Sequence, residues 1–134
     1  MTLPAWQRAS LPMLLLRVLA VAPRHGYGIS QALVSAGLQP IKGAQLYPAL
    51  GRLEDDGAIT ARWEQSGPGP ARKVYALTTA GLEQLHELND QWEAFMTAVE
   101  TLGRPDPAAT ADQAPRPRHS HANAWAHTGT KPQR

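Results

Sequence analysis

Gly43-Ala44-Gln45-Leu46-Tyr47-Pro48-Ala49-Leu50-Gly51-Arg52-Leu53-Glu54-Asp55-Asp56-Gly57 is the stretch on which the reading of the whole chain turns. Leu46, Leu50 and Leu53 recur at i, i+4 and i+7, the spacing that gathers side chains on one side of a 3.6-residue helix. Gln45, Ala49 and Arg52 repeat that interval on another face, predicted to lie outward. Gly, Ala, Gln and Arg give this face little bulk, so it can approach a second surface closely. Gln and Arg also end in groups that suit base edges and phosphates. A basic hairpin follows further along, and the simplest reading is a recognition helix followed by a wing.

At 134 residues the chain has room for one domain with one core. It holds no cysteine, which excludes disulfides, thiolate zinc sites and thiol nucleophiles and suits a reducing cytoplasm. The apolar run from Leu11 to Ala22 is broken by Arg17, is too short for a bilayer span and follows no charged n-region. It reads as a core helix, and no membrane partner is expected. The net charge of +2 conceals an asymmetry: residues 1–73 carry +4, residues 74–102 carry −5 and residues 103–134 carry +3. A basic front half backed by an acidic helix suits a protein that meets a polyanion through one face. An ordinary mixed surface is the plainer alternative.

The spacing of Leu11, Leu14, Leu15, Val18, Leu19 and Ala22 predicts a first helix from about Ala9 to Val21, stopped by Pro23. A second is predicted over Tyr27 to Ala36, with Ile29 and Leu33 inward and Gly37 just past its end. The third is the opening segment, closed by Gly57. Asp55 and Asp56 oppose the negative end of its dipole, a placement the pattern does not explain. Ile59, Ala61 and Trp63 alternate with polar residues as one strand, with Trp63 expected inside. Ser66-Gly67-Pro68-Gly69-Pro70 is turn material, and Lys73, Tyr75 and Leu77 alternate in a second strand. A two-stranded hairpin leaning on the helices is therefore predicted, with Thr78 or Thr79 capping a fourth helix. There Leu85, Leu88, Trp92, Phe95, Val99 and Leu102 are spaced 3, 4, 3, 4, 3, the a/d seam of a coiled coil. Two readings stay open for that seam: a twofold homodimer interface, or packing back on the first helix. Residues 103–134, rich in Ala, Pro, His and Arg with Trp125 as the one large apolar side chain, are expected to be disordered.

Chemistry-bearing clusters are sparse. His25 has no nucleophile or carboxylate set around it. His86 with Asp90 at i, i+4 reads as a surface pair. His119, His121 and His127 lack carboxylate or cysteine partners for a specific metal site. No cofactor, no metal and no enzymatic activity are expected.

His25-Gly26-Tyr27-Gly28-Ile29, the segment from Leu46 to Gly57, Arg72-Lys73-Val74-Tyr75-Ala76-Leu77-Thr78-Thr79-Ala80-Gly81 and Trp92 occur in that order. Together they resemble the PadR family of bacterial transcriptional regulators, over roughly residues 9–102, and the sum is far more specific than any one motif. The resemblance implies a mostly helical α+β fold: a winged helix-turn-helix DNA-binding domain (1–78), a single C-terminal dimerisation helix (79–102) and a tail outside the resemblance (103–134). It also implies a cytoplasmic, dimeric regulator of transcription, usually a repressor. Gln45 departs from the Ser or Thr that members often carry there, and Gly51 stands where a basic residue is common nearby.

In a helix-turn-helix the start of the second helix enters the major groove, which assigns Lys42, Gly43, Ala44 and Gln45 to that position. Gln45 reads as a partner of adenine or as a solvated glutamine. Lys42 and Arg52 are expected on phosphates. Tyr47 reads as a ring packed into the domain with a hydroxyl on phosphate, and Tyr27 as a phosphate contact at a helix N-terminus. Arg72 and Lys73 are expected at the wing. Two half-domains would take an inverted repeat with half-sites about 10 base pairs apart. Trp92, with Phe95 and Met96, reads as a pocket for a small aromatic effector, as in some small family members, or as core filling. The rival overall reading is a winged-helix module that binds protein and never touches nucleic acid, which salt-dependent DNA binding would separate.

Overall fold

In the computed structural model, which describes residues 5–65 and 67–105, the first apolar stretch forms one helix, as its spacing predicts, and a short helix that the spacing does not predict precedes it. α1 (Ala5–Ala9) ends at Ser10 and α2 (Leu11–Val21) starts at once, with Pro12 in its first turn, where a missing N–H breaks no helical bond. β1 (Arg24–His25), α3 (Gly26–Ser35), α4 (Gly43–Asp55), β2 (Ile59–Glu64), β3 (Arg72–Leu77) and α5 (Thr79–Leu102) follow. α1 has no apolar period to announce it. It is tied down by Gln7, whose side-chain amide donates to the Gln39 carbonyl at 2.9 Å and accepts from the Gln39 N–H at 3.1 Å. This two-way pairing replaces the water that the buried Gln7 loses.

The core gathers Leu11, Leu15, Leu16 and Leu19 of α2, Ile29 and Leu33 of α3, and Leu46, Leu50 and Leu53 of α4. α3 and α4 stop alike. Gly37 (φ +97°) and Gly57 (φ +79°) take left-handed backbone, which glycine adopts at no steric cost. The amides of Gly37 and Leu38 return to the carbonyls of Val34 and Leu33, and those of Gly57 and Ala58 to Glu54 and Leu53. This double closure carries Leu38 and Ala58 onto the core.

The sheet has three strands, not two, in the order β1-β3-β2, with both pairs antiparallel. β1 sets Arg24 opposite Tyr75 and His25 opposite Val74. Val74 and Tyr75 are both buried, although neighbours in a half-covered strand should alternate. Across the other ladder Ile59 pairs with Leu77 and Trp63 with Lys73. Trp63 is 69 % exposed, against the expectation of an inward ring. Cover is complete at Ile59, partial at Ala61 and gone at Trp63. At the hairpin tip, Gln65 Nε2 donates to the carbonyls of Gly67 (3.2 Å) and Gly69 (2.6 Å).

Thr78, not Thr79, caps α5. Its Oγ1 accepts the Gly81 N–H at 3.0 Å and lies 2.7 Å from the Gly57 carbonyl oxygen, while its N–H donates to the Ala58 carbonyl at 3.0 Å. The start of α5 is thereby stitched to the α4–β2 turn. Among the described residues, those up to Ala98 form one compact unit and those from Val99 belong to another. Most of the tail expected to be disordered, residues 106–134 with His119, His121, Trp125 and His127, lies outside the described residues. Among the described residues no helix is long and apolar enough to cross a membrane.

Candidate nucleic-acid interface

The first turn of α4 is open. Lys42 is its N-cap and makes no side-chain cap bond; an ammonium has donors only, so the amides that begin the helix receive no acceptor from it. Lys42, Gly43, Ala44 and Arg52 are exposed and Gln45 is half-buried. Ala49 is the exception: it is buried beside Leu46 and Leu50, which corrects the expectation of an outward Gln45-Ala49-Arg52 face. A methyl group fits either side of a helix, and here it goes inward.

Tyr47 is not packed in the core either. It is 52 % exposed, and its ring lies across the beginning of α3. A Cβ added at Gly26 would overlap the Tyr47 hydroxyl and approach Cε1 and Cζ to 2.9 Å, and one at Gly43 would touch the ring at 3.5 Å. The absence of a side chain at Gly26 therefore lets one tyrosine bridge the first turns of α3 and α4. Tyr75 fills the core beneath; burial raises its pKa above the ordinary value, with Tyr47 and Glu54 adding to the effect.

His25, Gly26, Tyr27, Tyr47, Arg72 and Lys73 line a concavity of about 270 Å³. Tyr27 is exposed and its hydroxyl accepts from Gln31 Nε2 at 3.2 Å. His25 is the N-cap of α3, its Nδ1 3.4 Å from the Gly28 N–H, and its Nε2 lies 3.3 Å from Arg72 Nη1. Lys73 Nζ is 3.6 Å from Glu54 Oε1 and 5.7 Å from the Tyr75 ring centre. Tyr27, Tyr47, Arg72 and Lys73, assigned to one role from sequence, thus meet in one place. Lys42, Gln45 and Arg52 are not among its lining residues. His25 and Glu54 were not assigned. For His25 a signal existed, since it immediately precedes a glycine-rich helix start, where caps sit; for Glu54 none did.

On α5, Trp92 and Phe95 stand 6.2 Å apart between ring centres, tilted by 38°. With Trp6, Pro12, Met13 and Leu88 they border an apolar groove of about 320 Å³. Met96 is half-buried and does not line it. Leu85, expected in the seam, is buried in the protomer core, and Leu88 and Trp92 pack partly against that core. Phe95, Val99 and Leu102 are exposed.

The pattern of the Transcriptional regulator PadR-like family matches residues 15–87. A transcriptional regulator of Mycobacterium tuberculosis is 37% identical over 98 residues, spanning 73% of this chain and 88% of its own. The negative transcriptional regulator PadR of Bacillus subtilis is 41% identical over a shorter 46 residues, 34% of this chain and 25% of that protein. Among solved structures, a PadR family regulator from Eggerthella lenta superposes with a TM-score of 0.70 at 33% identity, covering 76% of this chain and 88% of its own.

Proposed function

The chain belongs to the PadR-like family of transcriptional regulators, a family of regulators and not of enzymes, and from that premise we propose that it binds duplex DNA sequence-specifically and represses transcription as a homodimer on an inverted repeat. The observation that carries this reading is the position of Tyr47, which joins the open first turn of α4 to the start of α3 over Gly26 and lines the same concavity as Arg72 and Lys73. A groove-entering helix, a second helix N-terminus and the base of a wing thus share one border, rich in donors. Gln45 reads an adenine edge. Lys42, Arg52 and the uncapped amides of Gly43 and Ala44 take phosphates, as do the hydroxyls of Tyr27 and Tyr47. Arg72 and Lys73 follow the backbone beside the wing.

Residues 1–78 serve as the DNA-binding part and 79–102 as the dimerisation helix, where the exposed Phe95, Val99 and Leu102 continue the line of Leu88 and Trp92. Repression is supported by the Bacillus subtilis relative, which is named a negative regulator. A flat aromatic effector stacks on Trp92, which with Phe95 borders the apolar groove. Quenching of Trp fluorescence by a planar cationic dye tests the effector: quenching that is absent, or unchanged in Trp92→Ala, removes it. Genomic footprinting followed by gel shifts tests the DNA reading. Gln45→Ala loses sequence preference, while Lys42→Ala weakens all duplexes alike. If neither variant changes binding, the groove assignment is wrong. If no duplex binds at low salt, the fold is a protein-docking scaffold instead.

A further inference from the structure

A neutral imidazole has one N–H and one lone pair, and both ring nitrogens of His25 face donors. Nδ1 stands 3.4 Å from the Gly28 N–H and Nε2 stands 3.3 Å from Arg72 Nη1. Whichever nitrogen carries the hydrogen, one N–H points at another N–H. Among the described residues, no carboxylate lines the concavity. From β3 come Arg72 and Lys73, from α4 Tyr47 and from α3 Tyr27; Arg24 precedes His25 on its own strand. Glu54 is engaged by Lys73 at 3.6 Å.

From this we infer that His25 and Arg72 together hold a backbone phosphate of the duplex, and that His25 takes up a proton as the phosphate binds. The inference rests on the DNA-binding reading and adds His25 to it. In the free chain a second ring proton would set N–H groups against both Gly28 and Arg72. With a phosphate oxygen on Arg72, Nε2–H gains a charge-assisted acceptor, and the anion offsets the added positive charge. What is lost is the cap bond to Gly28, at 3.4 Å already longer than the usual range. Fewer protons are bound in the free state than in the complex, so affinity rises as pH falls.

The test measures affinity for a random-sequence duplex at fixed low salt across pH 6–8, for the full chain and for His25→Asn. Asparagine keeps a side-chain acceptor at the N-cap and does not titrate. The wild type should tighten by up to about tenfold per pH unit for each half-domain that takes up one proton. His25→Asn should lose that tightening. Equal pH slopes in the two proteins overturn the inference. Nitrogen NMR of the His25 ring with inorganic pyrophosphate provides a second arm. If no duplex binds at any pH, the DNA reading fails by itself. The inference then stands as an anion site if pyrophosphate protonates the ring, and falls if the ring resonances do not move.

Discussion

Glu54 and Tyr75 show how single side chains in the second row tune the proposed surface. Glu54 holds Lys73 at 3.6 Å, both side chains half exposed, so the pair competes with any phosphate that Lys73 meets. Exposed pairs of this kind are worth about 0.2–1 kcal/mol. Glu54→Gln should therefore tighten duplex binding by up to about fivefold, read as a dissociation constant at low salt. Unchanged or weaker binding places Lys73 away from the phosphates. Tyr75 makes a pH prediction. Its pKa is raised above 10.0, first by burial and then by Tyr47 and Glu54. A phenol whose folded value is raised supplies stability that is fully present below the unfolded pKa and is lost as pH climbs through the folded one. The melting temperature should fall more steeply above pH 10 in the wild type than in Tyr75→Phe; parallel curves would show that Tyr75 is not the linked group. Neither role was legible in sequence, because both depend on which strand or helix lies opposite.

At the scale of elements, the joint between the α4–β2 turn and α5 carries the fold. A Cβ at Gly81 would overlap the Ala58 carbonyl oxygen and come within 2.8 Å of Leu77 Cδ1. Helix propensity alone would favour Gly81→Ala by about 1 kcal/mol, but overpacking against backbone costs about 1–3 kcal/mol or more. We expect a net loss of roughly 2 kcal/mol in urea titrations; a stabilised variant would mean that α5 can slide off the turn. This joint also divides what the sequence discloses from what it conceals. Helices with one apolar stripe and a glycine stop were readable, since periodicity and left-handed backbone are local properties: α3 and α4 end where Gly37 and Gly57 place them. The Thr78 cap was readable within one residue for the same reason. β1 was not, because two residues hold no period and their strand character comes entirely from Tyr75 and Val74 across the ladder. Trp63 was misplaced because alternation states which face a side chain is on, and not how far the cover extends.

For the whole molecule, the decisive property is how the apolar line of α5 divides between a core and a partner. A 3-4 spacing looks uniform in sequence from Leu85 to Leu102, yet burial falls along it: Leu85 is 5% exposed, Phe95 55% and Leu102 80%. One helix therefore closes its own domain with its first turns and offers the rest outward, which periodicity alone could not divide. If the outward part joins two copies, charge there should separate them without unfolding either. Phe95→Glu combined with Leu102→Glu is expected to give a folded monomer by sedimentation, since both side chains are exposed in the single chain. Its DNA binding should change in a specific way. A twofold assembly on half-sites about 10 base pairs apart neutralises twice the phosphates of one half-domain. Because the slope of log affinity against log salt is about −0.9 per phosphate neutralised, the slope should halve in the monomer, and preference for an inverted repeat over a single half-site should vanish. A variant that stays dimeric, or a monomer that keeps the full slope, would show that the exposed end of α5 is not what pairs the reading heads.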